Sequence, residues 1–255
     1  MPATVIGVKG LFLGFIGNVS NEGYSLRTPR QVNPTDTLSV AFGETFVLNP
    51  NNTYSSFAQF LKTGAGAATS TSAIGLAASN VNINSSYNIA GSNDVLTPGG
   101  TYLPGSIMDG LVQGTINVSC DNGTPTAGGS VFVRSALNGA IPNGVVGGLE
   151  AVADPNPITT TTFSTTAGSA NATASTATGL AVGQILSGNV NVPAGTFIKS
   201  FVGTAVVLSQ NATATAATVA TTLSSTFLNP NFQWKTGYLE YDLTAQVTIL
   251  ARQIA

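Results

Sequence analysis

The sequence predicts an all-β protein: a β-barrel or sandwich main domain carrying a small inserted β module. Three observations lead there. Apolar and polar residues alternate in short runs bounded by Gly, Pro and Asn, the period of half-buried strands joined by turns. A single short segment carries a helical period. Only 7% of the 255 residues are charged, against about 25% in an ordinary soluble domain. Thr, Ser, Asn, Ala and Gly stand in their place, giving a neutral, hydroxyl-rich surface that can be buried against a partner without desolvating many ions.

Taken in chain order, the first segment is apolar from Val5 to Ile16. It is shorter than the roughly 20 residues a membrane span requires, and Lys9 interrupts it. The lysine lies inside the apolar run and no small-residue cleavage site follows, so neither a membrane anchor nor a signal peptide is expected. Thr37–Phe42 alternates as a strand. Ser55–Lys62 is the one helical candidate, with Phe57, Phe60 and Leu61 at i, i+3 and i+4 and either Ser55 or Ser56 as its cap. Thr115–Cys120, Ser130–Arg134 and Leu243–Leu250 read as strands, and Asp121-Asn122-Gly123 reads as a turn.

Composition changes near Ile158. From Thr159 to Ser225 the one charged residue is Lys199. Three strand-like runs, 183–188, 192–198 and 203–209, sit between low-complexity Thr/Ala stretches. A disordered linker would account for the flanks, but β-branched apolar runs favour an ordered module. Its Thr/Val edges would pair with another chain unless covered, which favours an oligomer. After Ser225 come Phe227, Phe232, Trp234, Tyr238 and Tyr241, a cluster suited to a core or interface and, as an alternative, to a sugar platform. The predicted organisation is a β domain from residues 1–158 and 226–255, interrupted by a module at 159–225.

The chemistry is sparse. There is no histidine, which removes the usual general base, the commonest transition-metal ligand and every Ser-His or Cys-His nucleophile. Glu150/Asp154 and Glu240/Asp242 are weak acid pairs, since a carboxylate glycosidase needs two different pKa values at a set separation. The Gly-rich GVVGGLE and TPGGTYLPG lack the strand–helix context of a phosphate cradle, so their glycines are assigned to turns. Asp94 and Asp121 have no calcium-loop spacing. No catalytic residue, cofactor or metal ligand is expected. Eight scattered basic residues against ten acidic ones, a net charge of −2, give no electrostatic case for nucleic acid. The lone Cys120 is read as a buried small residue, and a single thiol fits synthesis in a reducing cytoplasm.

The order of several segments resembles the cement, or head decoration, proteins of tailed bacteriophages. Those segments are Gly14–Ser20 (GFIGNVS), Val40–Leu48 (VAFGETFVL), Ile74–Ala78 (IGLAA), Tyr102–Met108 (YLPGSIM), Gly114–Val118 (GTINV), Ala127–Val133 (AGGSVFV), Gly147–Ala151 (GGLEA) and Ala245–Arg252 (AQVTILAR). Each is short, and their shared order carries the resemblance over most of residues 10–158 and 226–255. Residues 159–225 depart from the pattern and resemble small β repeats of phage and bacterial surface proteins. The resemblance implies a non-enzymatic virion protein on the outer capsid surface, made in the bacterial host cytoplasm. It binds the major capsid protein and staples neighbouring capsomers, with a homotrimer favoured and a homodimer as alternative. Phe15, Arg27 and Arg30 are the expected capsid contacts, and residues 159–225 form an outward knob. The alternative function is a carbohydrate-binding adhesin, or a tail-fibre or head-fibre component, with a host-surface glycan bound through residues 159–225.

Overall fold

The computed structural model describes residues 16–19, 25–64, 66–68, 72–79, 100–138, 144–154, 158–238 and 244–250. Among them are seventeen strands and one helix. The strands run β1 (Leu26–Gln31), β2 (Val40–Ala41), β3 (Thr45–Leu48), β4 (Tyr54–Ser56), β5 (Gly75–Ala78), β6 (Thr101–Tyr102), β7 (Ile107–Ser119), β8 (Ser130–Arg134) and β9 (Leu149–Glu150). They continue as β10 (Ile158–Thr165), β11 (Asn171–Ala174), β12 (Ile185–Ser187), β13 (Ile198–Val202), β14 (Ala205–Leu208), β15 (Ala216–Ser224), β16 (Thr226–Tyr238) and β17 (Thr244–Ile249). The helix α1 spans Phe57–Thr63. The protein is all-β, as expected, in antiparallel sheets that curl into barrel-like units.

Strand β7 organises the largest sheet, ordered β4-β3-β5-β7-β17-β16-β8-β9 with β1 also on β7. Its first half, Ile107–Gln113, pairs with β1 and β5. Its second half, Gly114–Ser119, pairs with β17. Gly114 at the handover has φ +126, a value open to glycine at little cost. Each half then curls until its ends meet. Val32 bridges Tyr54, joining the end of β1 to β4, and Cys120 bridges Leu149, joining the end of β7 to β9. One core lies within the first curl around Val40, Phe46, Tyr54, Tyr102 and Met108. A larger core, around Leu111, Ile116, Val133, Trp234 and Val247, lies between the first curl, the second curl and α1.

Strands β2 and β6 pair as a two-stranded sheet, and the other six form a sheet of their own, ordered β12-β15-β10-β11-β14-β13. Its ends also meet: Ile185 bridges Phe197, Leu186 N–H donates to Thr196 O at 2.8 Å, and Ile198 N–H donates to Gln184 O at 2.9 Å. Its core is Phe163, Leu186, Ile198, Val206, Leu208 and Leu223, with alanines filling the gaps. The low-complexity flanks are therefore structure. TTTTFST is β10, NATA is β11 and AATVATTLS is β15, with β10 and β15 in the middle of the sheet. The edges expected to seek another chain are largely paired with one another, so they supply no argument for an oligomer.

Several elements match expectation. β8 has the predicted bounds, β17 sits inside Leu243–Leu250, and α1 begins after Ser56, whose Oγ accepts from Gln59 N–H at 3.1 Å. Others differ. Thr37–Phe42 shrinks to Val40–Ala41: Gln59 Oε1 captures Thr37 N–H at the start of the run, and Asn33 Oδ1 holds Thr35 N–H just ahead of it. These side chains compete for the backbone that a strand would use. The run 192–198 is mostly turn, held by Thr196 Oγ1 donating to Pro193 O, and the strand follows at Ile198–Val202.

Candidate functional site

Of the expected contact residues, Phe15 lies outside the described residues. Arg27 and Arg30 are both on β1, three residues apart, so the period of the strand sends them to opposite faces. Arg27 is exposed. Arg30 lies over the Tyr54 ring at 5.8 Å and donates to the Asn52 side chain. The structure does not gather the two into one basic patch.

The predicted acid pairs also separate. Glu240, Asp242 and Asp94 lie outside the described residues. Glu150 forms an ion pair with Arg134, both fully buried. Asp154 instead accepts from Asn138 Nδ2 at 2.7 Å through both oxygens. Trp234 is 1% exposed within the larger core, which removes it from any sugar platform. Cys120 is buried and contacts Asn122 O.

Sequence reasoning missed a charged constellation that the fold assembles among the described residues. Glu44, Asp121, Arg134 and Glu150 come from four distant segments and meet beside a cavity of about 510 Å³, lined in part by Ile16, Phe42, Glu44, Asp121, Val145 and Leu149. Glu44 accepts from Ala41 N–H at 2.8 Å. Asp121 accepts from Ser119 Oγ at 3.1 Å and Val145 N–H at 3.2 Å. Arg134 donates through Nε to Glu150 and through Nη1 to Ala136 O at 3.1 Å, and Asn122 Nδ2 reaches Glu150 at 3.4 Å.

Burial pushes the Glu44 carboxyl up to about 7. The Ala41 N–H pulls the other way and the Asp121 charge adds to the rise. Burial also raises Asp121, against the Val145, Ser119 and Arg134 contacts, and raises Glu150 against its pairing with Arg134. No group of three or more potential metal ligands occurs among the described residues. The cluster is a buried polar core knit by these hydrogen bonds and the Arg134–Glu150 ion pair.

A second, open basin of about 460 Å³ lies on the six-stranded sheet, across β10, β11, β14 and β13. Ser164, Asn171, Thr173 and Ser200 present polar groups there, Val202 and Val207 present apolar ones, and no charged residue lines it. Phe201 packs partly on the sheet's core.

Comparison with known proteins decides the broad identity. A model of the XM1 gp53 minor capsid protein family matches residues 8–185, more than two thirds of the chain. The chain belongs to that family. The match takes in the first curl, strands β8 and β9 of the second, and β10 and β11 of the six-stranded sheet. No curated protein matches. Membership makes this a phage capsid-associated structural protein. The buried ion cluster is the polar core of this capsid-associated protein.

Proposed function

We propose that this capsid protein is a cement, or decoration, protein. It binds the outer surface of the assembled shell through the major capsid protein and stabilises junctions between capsomers. The observation that carries the reading is membership of a minor capsid family. The low charge supports it, since a neutral hydroxyl-rich surface can be buried widely at small electrostatic cost. A protein that binds the assembled shell and not its dissociated parts stabilises the shell by mass action, and oligomerisation multiplies the effect through avidity. A homotrimer at local threefold positions is the favoured state, with a homodimer as the alternative.

In this reading residues 1–158 and 226–255 are the capsid-binding domain, and residues 159–225 are an outward knob. The capsid contact lies in the N-terminal segment around Phe15 and Arg27, with Arg30 contributing through the Tyr54 side of β1. The second reading, a host-surface glycan held by residues 159–225, is favoured by the uncharged basin with its hydroxyl and amide groups. It would make the protein an adhesin or a fibre component.

Cryo-electron microscopy of purified heads mixed with the protein tests both readings. Regular density over capsomer junctions with a distal knob is the expected result, and bare heads would overturn the cement assignment. The companion variant is the double substitution Phe15→Ala and Arg27→Ala. A truncation through residue 30 would strip Ile16, which packs on Gly43, and then most of β1 itself. Loss of head binding with an unchanged β-type circular dichroism spectrum is expected, and retained binding would sink the N-terminal contact.

A further inference from the structure

We propose that Glu44, Asp121, Arg134 and Glu150 form a proton-held clasp, in which a retained proton keeps the 144–150 loop closed over the 40–44 turn and loss of that proton opens the intervening cavity wall. Three carboxylates face one guanidinium, so the fully ionised cluster would carry a net charge of −2 in a partly desolvated site. Arg134 is committed to Glu150. Asp121 is met by a hydroxyl, a backbone N–H and the more distant Arg134 charge, and Glu44 by a backbone N–H alone. The Asp121 charge opposes ionisation of the buried Glu44, and a proton on one of the two removes the repulsion.

The loop is shaped to lie directly on these groups. Gly147, with φ +89, sits against Glu44 Oε1, where an added Cβ would lie 2.8 Å from the oxygen. Gly148 sits against Asp121 Oδ2, and Gly144 against Arg134. The loop is anchored by Val145 N–H on Asp121, by Thr45 N–H on Gly147 O at 3.1 Å and by Gly147 N–H on Arg134 O at 2.8 Å. The GVVGGLE motif is thus a cover whose glycines allow backbone to approach buried charge. Glu44 comes from the 40–44 turn, Asp121 from the end of β7, Arg134 from β8 and Glu150 from β9. Residues 16–19 and 144–149 contribute no titratable side chain.

The sign of the pH effect follows. Glu44 ionises at about 7 in the folded chain, above its ordinary 4.5. Between those values the folded state holds a proton that the unfolded state has released. Stability therefore falls as pH rises from 4.5 through 7 and is level beyond. The clasp is closed in mild acid and loosened in mild alkali.

Hydrogen–deuterium exchange of the full chain at pH 5.5 and 8.5, corrected for intrinsic rates, reads the clasp directly. In the wild type, protection of peptides spanning 144–150 is expected to drop about tenfold or more at the higher pH, while peptides spanning β14 keep theirs. Glu44→Gln mimics the protonated acid and is expected to keep the loop protected at both pH values. Equal wild-type protection at both pH values would overturn the proposal, as would a Glu44→Gln protein that opens like the wild type. Should that variant fail to fold, 13C-glutamate NMR of the wild type decides. One carboxyl titrating near 7 is expected, and all glutamates titrating in the ordinary range would overturn the clasp.

Discussion

The β7-centred sheet and the six-stranded sheet solve the same problem with different materials. Both curl until backbone pairing joins their ends, and both bury a continuous apolar core. The first does so with a tryptophan, many large apolar side chains and a buried ion pair. The second uses a buried phenylalanine with Phe201 packed partly against it, a few aliphatics and alanine, under a surface of threonine and serine with Lys199 as its one cation. The lesson is that period-2 alternation is enough for a small closed sheet even when some of its strands place only alanine inside. In β11 and β14 each exposed residue is followed by a buried one, although β11 reads simply NATA. The two regions touch where α1 packs near β13, with the Phe60 and Phe197 rings 5.8 Å apart.

That comparison can be broken most severely at Arg134. Arg134→Ala leaves Glu150 buried without its partner, and a loss of about 3–5 kcal/mol is expected. The single tryptophan, Trp234, lies in the affected core, so its fluorescence should report the shift in denaturant midpoint. Phe163→Ala, in the other sheet, should cost about 3 kcal/mol. Its expected signature differs: circular dichroism loses amplitude early while the Trp234 transition stays in place. Coincident transitions would show one cooperative unit instead of two. Ser56→Ala removes the cap of α1, the helix between the regions, and should lower stability by about 1 kcal/mol in chemical denaturation. Val202→Thr, at an 85% exposed position beside the open basin, should change stability by less than about 0.5 kcal/mol in the same assay. A larger effect would mean that this face is covered in solution.

Much of the fold was legible in the sequence because strands with one buried face write their period directly. β8, β17 and α1 were read within a residue or two of their bounds. Thr37–Phe42 misled because its alternation is real while Gln59 takes its first N–H, and side-chain competition of that kind leaves no periodic trace. The Thr/Ala flanks looked like filler because alanine reads as weakly apolar. Only the register, with Phe163 opposite Ala174 and Val219, shows which alanines face inward. The ion cluster was illegible for a different reason. Its members lie at 44, 121, 134 and 150, and sequence adjacency suggested Glu150 with Asp154, whose partners prove to be Arg134 and Asn138. The one available signal was the paired glycine before Leu149, which was read as a turn and serves as a cover.

Strand β7 has a mechanical consequence. Along its thirteen residues it is flanked by β1 and then β17 on one edge, and by β5 and then Val19 on the other. Tension along such a strand cannot peel one neighbour away bond by bond. It must shear several rows of hydrogen bonds at once, so rupture requires many to fail together. A pull across the sheet would meet the rows in sequence and unzip them at lower force. The molecule is therefore stiff along β7 and compliant across it, and the direction in which a shell strains it sets how much it can resist.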